Sequence, residues 1–215
     1  MKNIIIIGAD VSGMNIYDII NDINLINQTW RIIGYIDEFT VDKELFDIPI
    51  FKSFNDIIKK LLINSEDTYI ISAIGSPKNR TRLMYEGKKY GFKWAKIIHP
   101  TAICSKTSFI EDGAILCQNV LIQSFAYISE LSYIHTGCVI GPKVRINKGV
   151  TINSLCAISA KTTIEDFCYI GVGTKIIQNK IIGNNSIIGA GSVVIDNIPQ
   201  KVLCVGMPAK VKKEL

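Results

Sequence analysis

Residues 146–176 read INKGVTINSLCAISAKTTIEDFCYIGVGTKI, and an isoleucine returns at every sixth position of this stretch. Extended in both directions, the same step runs from Ile110 to Val194 and meets a branched aliphatic residue at every stop. Four residues after most stops lies a small side chain, such as Cys156 or Thr162. A period of six matches neither an α-helix nor a two-sided strand. It fits a triangular coil, in which each of three short faces points one large aliphatic side chain inward and small residues occupy the crowded corners.

The segment from about Ile110 to Val194 is therefore predicted to be a left-handed parallel β-helix built from hexapeptide repeats. Eighteen residues make one coil, so the segment holds about five coils. Parallel stacking pairs the backbone of each coil with the next, which leaves unpaired strand edges only at the two ends. The β-helix domain is predicted to cover residues 98–215.

Residues 1–97 show a different pattern, in which β-branched runs alternate with helical apolar spacing. The predicted strands are 2–7, 30–36 and 69–73, and the predicted helices are 14–23, 54–62 (capped by Ser53) and a segment after Gly75 that ends at residue 90. Strand–helix alternation with short connections predicts a small parallel sheet. The expected fold is thus an α/β N-terminal Rossmann-like domain followed by the β-helix.

The front domain also contains candidate ligand-binding residues, because ligands bind such sheets beyond the carboxyl ends of the strands. Gly8 and Gly13 flank a loop whose backbone amides can meet a phosphate at a helix N-terminus. Asp37 ends the second strand. Its carboxylate either accepts hydrogen bonds from a ribose or base, or is a plain solvated strand end.

The composition excludes several classes of protein. A hydrophobic content of 48% excludes disorder. The chain contains no run of eighteen apolar residues, so no membrane span is predicted. The apolar run after Met1 is too short for the core of a signal peptide, so a cytoplasmic location is expected. The six cysteines show no metal-ligand spacing and are expected to be reduced. A net charge of +5 without an aromatic-studded basic stripe favours an anionic small molecule over nucleic acid.

Several motifs together resemble those of the NeuD/PglD family of sugar O- and N-acyltransferases, and the resemblance covers nearly the whole chain. The motifs are GADVSG (8–13), GYIDE (34–38), AIGSPKNRTRL (73–83), IIHPTA (97–102), IHTGCVIGPK (134–143), IIGNNSIIGAGSVV (181–194) and VGMPAK (205–210). The last two are typical of hexapeptide acyltransferases, whereas the front-domain motifs indicate the sugar-acyltransferase branch.

The resemblance implies an acyltransferase that needs no metal and uses an acyl-CoA, usually acetyl-CoA. The acceptor would be an amino or hydroxyl group on a sugar, a nucleotide-sugar or sialic acid, and the product would enter surface polysaccharide or glycoprotein assembly. Members of the family are typically homotrimers with the acyl-CoA between neighbouring β-helices, and the nucleotide part of the acceptor lies against the front domain.

The resemblance also assigns candidate site residues by position. Those expected to bind the acceptor are Gly8, Ser12, Gly13, Asp37, Gly75 and Arg80. Those expected to bind acyl-CoA are Thr151, Ala160, Val172, Gly173, Ala190 and Lys210. Two alternative interpretations remain. Arg80 would lie on a solvated helix face and bind no ligand, and Gly173 would serve only to form a corner of the coil.

The chain departs from the family at the catalytic position. The family's coil reads roughly I-N-T-G-A-x-I-G-H-D/E; over residues 134–143 its histidine falls on Pro142 and its acid on Lys143. Proline cannot accept a proton. In the front loop, Val11 stands where glycine lets a phosphate approach closely, and Asp10 adds a negative charge.

Three interpretations of Pro142 follow. In the first, His135 acts as the base from the adjacent face, since histidine titrates in the right range. In the second, an unprotonated amine attacks without a protein base, and binding and orientation sustain turnover. In the third, the chain has lost catalysis and acts as a trimeric binding or scaffold protein.

Two other enzyme classes are excluded by residue content. A zinc enzyme of the carbonic anhydrase type needs three histidine ligands, and the chain has only His99 and His135. A dehydrogenase of the dinucleotide-binding type needs the full G-x-G-x-x-G motif, which is absent.

Overall fold

The computed structural model describes residues 1–215, which form two compact units. The front unit comprises residues 1–75 and 79–100, and the second unit comprises residues 76–78 and 101–215. None of the helices combines the length and the apolar character that a membrane crossing requires.

The front unit is a six-stranded sheet with flanking helices. Its strands are β1 (Lys2–Ile7), β2 (Trp30–Ile36), β3 (Glu44–Leu45), β4 (Ile48–Phe51), β5 (Thr68–Ser72) and β6 (Lys93–Trp94), and its helices are α1 (Val11–Ile26), α2 (Phe54–Leu61) and α3 (Pro77–Lys89), with a short 3₁₀ turn at Ser65–Asp67. The strand order is β3-β4-β2-β1-β5-β6, and every neighbouring pair is parallel except β3 and β4. The Rossmann-like fold is therefore confirmed.

The start of α1 shows why this sequence folds as it does. The last four residues of β1 are at most 1% exposed, as expected for an isoleucine run in a strand buried on both faces. The helix begins three residues before the predicted start because Asp10 caps it, with its side chain accepting a hydrogen bond from the amide of Val11. A Cβ at Gly13 would lie 2.4 Å from the carbonyl oxygen of Gly8, so only glycine lets the helix begin this close to β1.

The β3–β4 hairpin and β6 were not predicted. Phe46 and Asp47, which connect β3 to β4, have φ of 53° and 59°. Both therefore adopt the left-handed conformation that Asn-Gly pairs usually supply in two-residue hairpin turns. The sequence signal for a hairpin was absent, although the backbone geometry of one is present.

The second unit is a three-sided coil, and the prediction of a left-handed parallel β-helix is confirmed. After β7 (Ile97–Ile98), two-residue strands repeat every six residues. Face 1 contains β10 (Ile115–Leu116), β13 (Tyr133–Ile134), β16 (Thr151–Ile152), β19 (Tyr169–Ile170), β22 (Ile187–Ile188) and β24 (Val202–Val205), followed by the antiparallel β25 (Lys210–Glu214). Face 2 contains β8 (Ile103–Cys104), β11 (Leu121–Ile122), β14 (Val139–Ile140), β17 (Ala157–Ile158), β20 (Lys175–Ile176) and β23 (Val193–Val194). Face 3 contains β9 (Phe109–Ile110), β12 (Tyr127–Ile128), β15 (Arg145–Ile146), β18 (Thr163–Ile164) and β21 (Ile181–Ile182).

The aliphatic column fills the interior as predicted. From Leu116 to Val194, every sixth residue is at most 1% exposed. The corners differ from the expectation that small residues occupy them. From Gly113 to Gly191 the tip of each corner has a positive φ, and large side chains such as Phe125, Leu155 and Phe167 adopt it at 58–61°. These side chains point away from the coil, so the small residues are needed beside the tip, where the side chain points inward.

The small inward side chains also bind the next coil. At five corners this residue donates a hydrogen bond to the carbonyl fifteen residues further on, over 3.0–3.1 Å. The donors are Ser132, Cys138, Cys156, Thr162 and Cys168. All six cysteines are free thiols, and five are buried. Burial in this interior raises the pKa of the Cys168 thiol to about 12.

Candidate functional site

A cavity of about 420 Å³ lies in the front unit, at the carboxyl ends of β1, β2 and β5. This is where ligands bind in parallel α/β sheets, and the volume suits a nucleoside or a small saccharide. The polar residues of its wall are Asp10, Ser12, Asp37, Glu38, Lys52, Ser53, Asn79, Arg82 and Glu86. Gly8, Gly13 and Gly75, predicted to bind the acceptor, also line it.

Asp37 holds two loops of this cavity together. One carboxylate oxygen accepts a hydrogen bond from the amide of Ala9 at 2.9 Å, and the other accepts from the amides of Phe39 and Thr40 at 2.9 and 3.1 Å. Burial acts to raise the pKa of Asp37, but the three amide donors and the charge of Lys52 outweigh it and lower the pKa. The carboxylate is thus ionised and fixed at the cavity wall, and it is not a plain solvated strand end.

The loop between β1 and α1 presents a carboxylate to the cavity. Oδ1 of Asp10 lies 2.6 Å from the amide nitrogen of Val11, at the start of α1. The Val11 side chain is 71% exposed. The Asp10 carboxylate therefore occupies the position where a phosphate would meet the amide of Val11.

Arg80 lies behind the cavity wall and not in it. Its side chain is 1% exposed, and Nη1 donates hydrogen bonds to the carbonyls of Ile74 and Gly75 at 2.9 and 3.2 Å. The alternative of a solvated helix face is therefore wrong. Arg80 stabilises the loop that carries Gly75, and the cation that reaches the cavity from α3 is Arg82.

In the β-helix, four predicted site residues share one edge, which we call the first corner. It joins face 1 to face 2 and contains His135 on one coil, Val172 and Gly173 two coils further on, and Ala190 on the coil after that. Val172 is 47% exposed, Ala190 is exposed, and a Cβ at Gly173 would meet no atom within 4 Å. From the coil of Val172 to that of Ala190 the corner therefore offers an open path of short side chains, whereas on the coil between His135 and Val172 its tip is the exposed Leu155. From the coil of His135 to that of Ala190 the corner advances by three coils, at about 4.8 Å each.

His135 is held on the first of these coils. Its ring stacks on that of Tyr133, with centroids 4.0 Å apart and an angle of 21° between the planes. Tyr133 is fully buried, which fixes one face of the imidazole, while His135 itself is half-buried. The neighbouring hydroxyl of Thr136 donates to Oε1 of Gln118 at 3.2 Å. The Tyr133 support was missed from the sequence, although its place two residues before His135 puts the two side chains on the same side of a strand.

Pro142 and Ala160 lie on a different edge, the second corner, which joins face 2 to face 3. Pro142 is exposed, and its carbonyl accepts a hydrogen bond from the amide of Lys161 at 3.0 Å. Lys143 follows it at a φ of 56°. Within one chain, the family's catalytic position and His135 therefore lie on neighbouring corners of the same coil.

The two remaining candidates are placed apart from both corners. Thr151 lies in β16 on face 1, paired with Tyr133, and is fully buried. Lys210 begins β25, and its Nζ lies 3.4 Å from Oδ2 of Asp196 in an exposed ion pair. No group of three or more histidine, cysteine or acidic side chains is arranged to hold a metal ion.

Residues 3–86 match the family model of the PglD N-terminal domain. The crystal structure of PerB from Caulobacter crescentus, in complex with CoA and GDP-perosamine, is 23% identical with a TM-score of 0.88, and the match covers 99% of this chain and 98% of that chain. The acetyltransferase domain of PglB from Neisseria gonorrhoeae is 22% identical with a TM-score of 0.88, and the match covers 98% and 100%.

A match to a curated protein covers a smaller part of its length. The bifunctional protein GlmU of Carboxydothermus hydrogenoformans is 35% identical over 110 residues, which are 51% of this chain and 22% of that protein. The chain thus spans about a fifth of the length of this relative. The resemblance to the NeuD/PglD family is confirmed in that residues 3–86 match the PglD N-terminal domain and the chain shares the two-part fold of PerB and PglB over nearly its whole length.

Proposed function

We propose that this chain is an acyltransferase that transfers an acetyl group from acetyl-CoA to an amino or hydroxyl group of a sugar, a nucleotide-sugar or sialic acid, in the biosynthesis of surface glycans. The observation that carries the proposal is the match over 99% of the chain to PerB, whose structure holds CoA and GDP-perosamine. The front cavity and the open first corner supply one candidate surface for each of two such substrates.

The donor is assigned to the first corner. A pantetheine arm needs a flat path on which its amides can bond to backbone groups. The exposed Val172 and Ala190, with Gly173 between them lacking a side chain, leave the backbone accessible there. The exposed Lys210 is a candidate for the CoA phosphates. Thr151 remains a candidate only because of its position in β16 on face 1, since its side chain is buried within the single chain.

His135 is the proposed base. The attacking amine or hydroxyl gives its proton to the imidazole as its lone pair forms a bond to the thioester carbonyl carbon. The carbon–sulfur bond then breaks, and the departing CoA thiolate takes up that proton. Stacking on the buried Tyr133 ring restricts the imidazole to one orientation, which a base needs in order to act on a bound substrate.

A homotrimer in the cytoplasm completes the proposal, with the donor bound between neighbouring β-helices. Its support is apolar surface on and beside face 2, where Ile103, Leu155 and Val139 are 68%, 67% and 38% exposed. Exposed apolar groups of this size indicate a surface that packs against another chain. Sedimentation velocity would test the trimer, and a monomer at micromolar concentration would contradict it.

The experiment has two stages. Acetyl-CoA binding is measured by calorimetry, and acetyl transfer is then measured by thiol release on a panel of free and nucleotide-linked aminosugars. His135→Ala is expected to lower kcat by about 10²–10⁴-fold while the Kd for acetyl-CoA stays unchanged. Thr163→Ala, on face 3, is the control and should change neither quantity.

The outcomes separate the three interpretations. An unchanged kcat in His135→Ala would remove the histidine and favour attack without a protein base. Donor binding without transfer to any acceptor would favour a binding or scaffold protein, which the match to the acetyltransferase domain of PglB makes the less favoured alternative.

A further inference from the structure

The Asp10 carboxylate takes the place that a phosphate would use in the front cavity. Its Oδ1 already accepts the hydrogen bond of the Val11 amide at 2.6 Å. Free amides at the start of a helix are what make such loops bind phosphate. A diphosphate bound here would have to displace the carboxylate or lie beside it as a like charge.

The rest of the cavity does not compensate for this charge. Four carboxylates line it, namely those of Asp10, Asp37, Glu38 and Glu86, against the two cations of Lys52 and Arg82. Both cations already have partners. Nη1 of Arg82 lies 3.5 Å from Oε2 of Glu86, and Nζ of Lys52 donates to the carbonyl of Thr40. The wall therefore has a net negative charge with no uncommitted cation.

The remaining wall suits an uncharged ligand. Asp37, Asn79 and Ser12 offer oxygen and nitrogen atoms to hydroxyl groups, and Phe39 adds an aromatic ring that is 86% exposed.

We propose that Asp10 determines the specificity of this cavity by excluding a diphosphate, so that the part of the acceptor bound there is an uncharged nucleoside or saccharide. The inference rests on the proposed function for its link to acyl transfer. The acceptor class that follows is a sugar that does not place a nucleoside diphosphate in the front unit.

The test uses the full chain and the change Asp10→Asn. Asparagine caps helices as well as aspartate does, so the variant removes the charge and keeps the cap. Asp18→Asn is the matched control, because Asp18 is an exposed carboxylate of the same helix that does not line the cavity. Calorimetry measures the binding of uridine, UDP, guanosine and GDP to the three proteins.

The wild-type protein is expected to bind each nucleoside at least as tightly as its diphosphate, or to bind neither diphosphate. Asp10→Asn should improve diphosphate binding about tenfold relative to the nucleoside, and Asp18→Asn should leave the ratio unchanged. A wild-type preference of tenfold or more for UDP or GDP over the nucleoside would overturn the proposal. So would a ratio of diphosphate to nucleoside affinity in Asp10→Asn that equals the wild-type ratio, or an absence of diphosphate binding to that variant. Donor binding at the β-helix is measured separately, so failure here leaves the proposed acyl transfer standing.

Discussion

Replacing Asp37 with alanine removes the acceptor of three backbone amides in the front unit. The lost bonds are those from Ala9, Phe39 and Thr40, and they connect the loop after β1 to the loop after β2. Hydrogen bonds to a charged acceptor contribute about 1.5–3 kcal/mol each when buried. Asp37 is only half-buried, so that water can reach the freed amides, and about 1 kcal/mol per bond is the better figure. The free energy of unfolding of the front unit should therefore fall by about 3 kcal/mol.

The two tryptophans make this loss measurable without interference from the β-helix. Trp30 and Trp94 are the only tryptophans in the chain, and both lie in the front unit, in β2 and β6. Urea unfolding followed by tryptophan fluorescence therefore reports on the front unit alone. Far-ultraviolet circular dichroism of the same samples follows the β-helix.

Asp18→Ala is the control for this measurement, because it removes an exposed carboxylate within α1 that does not connect the two loops. A loss below about 1 kcal/mol in Asp37→Ala, or a loss equal to that of the control, would show that water replaces the carboxylate at no cost. The reasoning that Asp37 holds the two loops together would then be refuted.

Three further outcomes are expected. The amides hold the pKa of Asp37 below its ordinary value, so at low pH the unfolded chain binds more protons than the native one. The free energy of unfolding of the wild-type front unit should therefore fall as the pH drops below about 4. Urea midpoints measured across this range should fall less in Asp37→Ala than in the wild-type protein. Ile152→Ala empties part of the fully buried column and should destabilise the β-helix by about 2–5 kcal/mol by circular dichroism, whereas Ile181→Ala, at a position 48% exposed, should cost less than about 1 kcal/mol; equal losses would contradict the assigned interior. A thiol reagent at pH 8 should modify at most Cys104 in the native protein and all six cysteines in urea, and rapid reaction of several native thiols would contradict their burial.

The interior of the β-helix was predictable because one physical requirement repeats. Each face needs one large apolar side chain in the interior, and the sequence supplies one at every sixth position, fifteen in all, between Ile110 and Val194. The front sheet was predictable for a similar reason, since β1 and β2 are runs of apolar residues bounded by turns. These patterns are local, and the sequence displays them directly.

What escaped prediction depends on the backbone or on contacts between distant residues. The hairpin turn at Phe46 and Asp47 uses residues that rarely adopt its conformation. The burial of Arg80 depends on how the loop after β5 folds back over its side chain. Lys52, which follows β4, and Glu86 of α3 both line the cavity, and no motif joins them in the sequence.

The hydrogen bonds from the inward corner residues determine which substitutions the β-helix tolerates while keeping its fold. Serine, threonine and cysteine all occur as the donor, and each donates to the carbonyl fifteen residues further on, in the following coil. Exchange among the three leaves the bond in place, just as exchange among isoleucine, leucine and valine leaves the interior filled. Many different sequences therefore encode one coil, which explains how two chains with 23% identity can share a fold at a TM-score of 0.88.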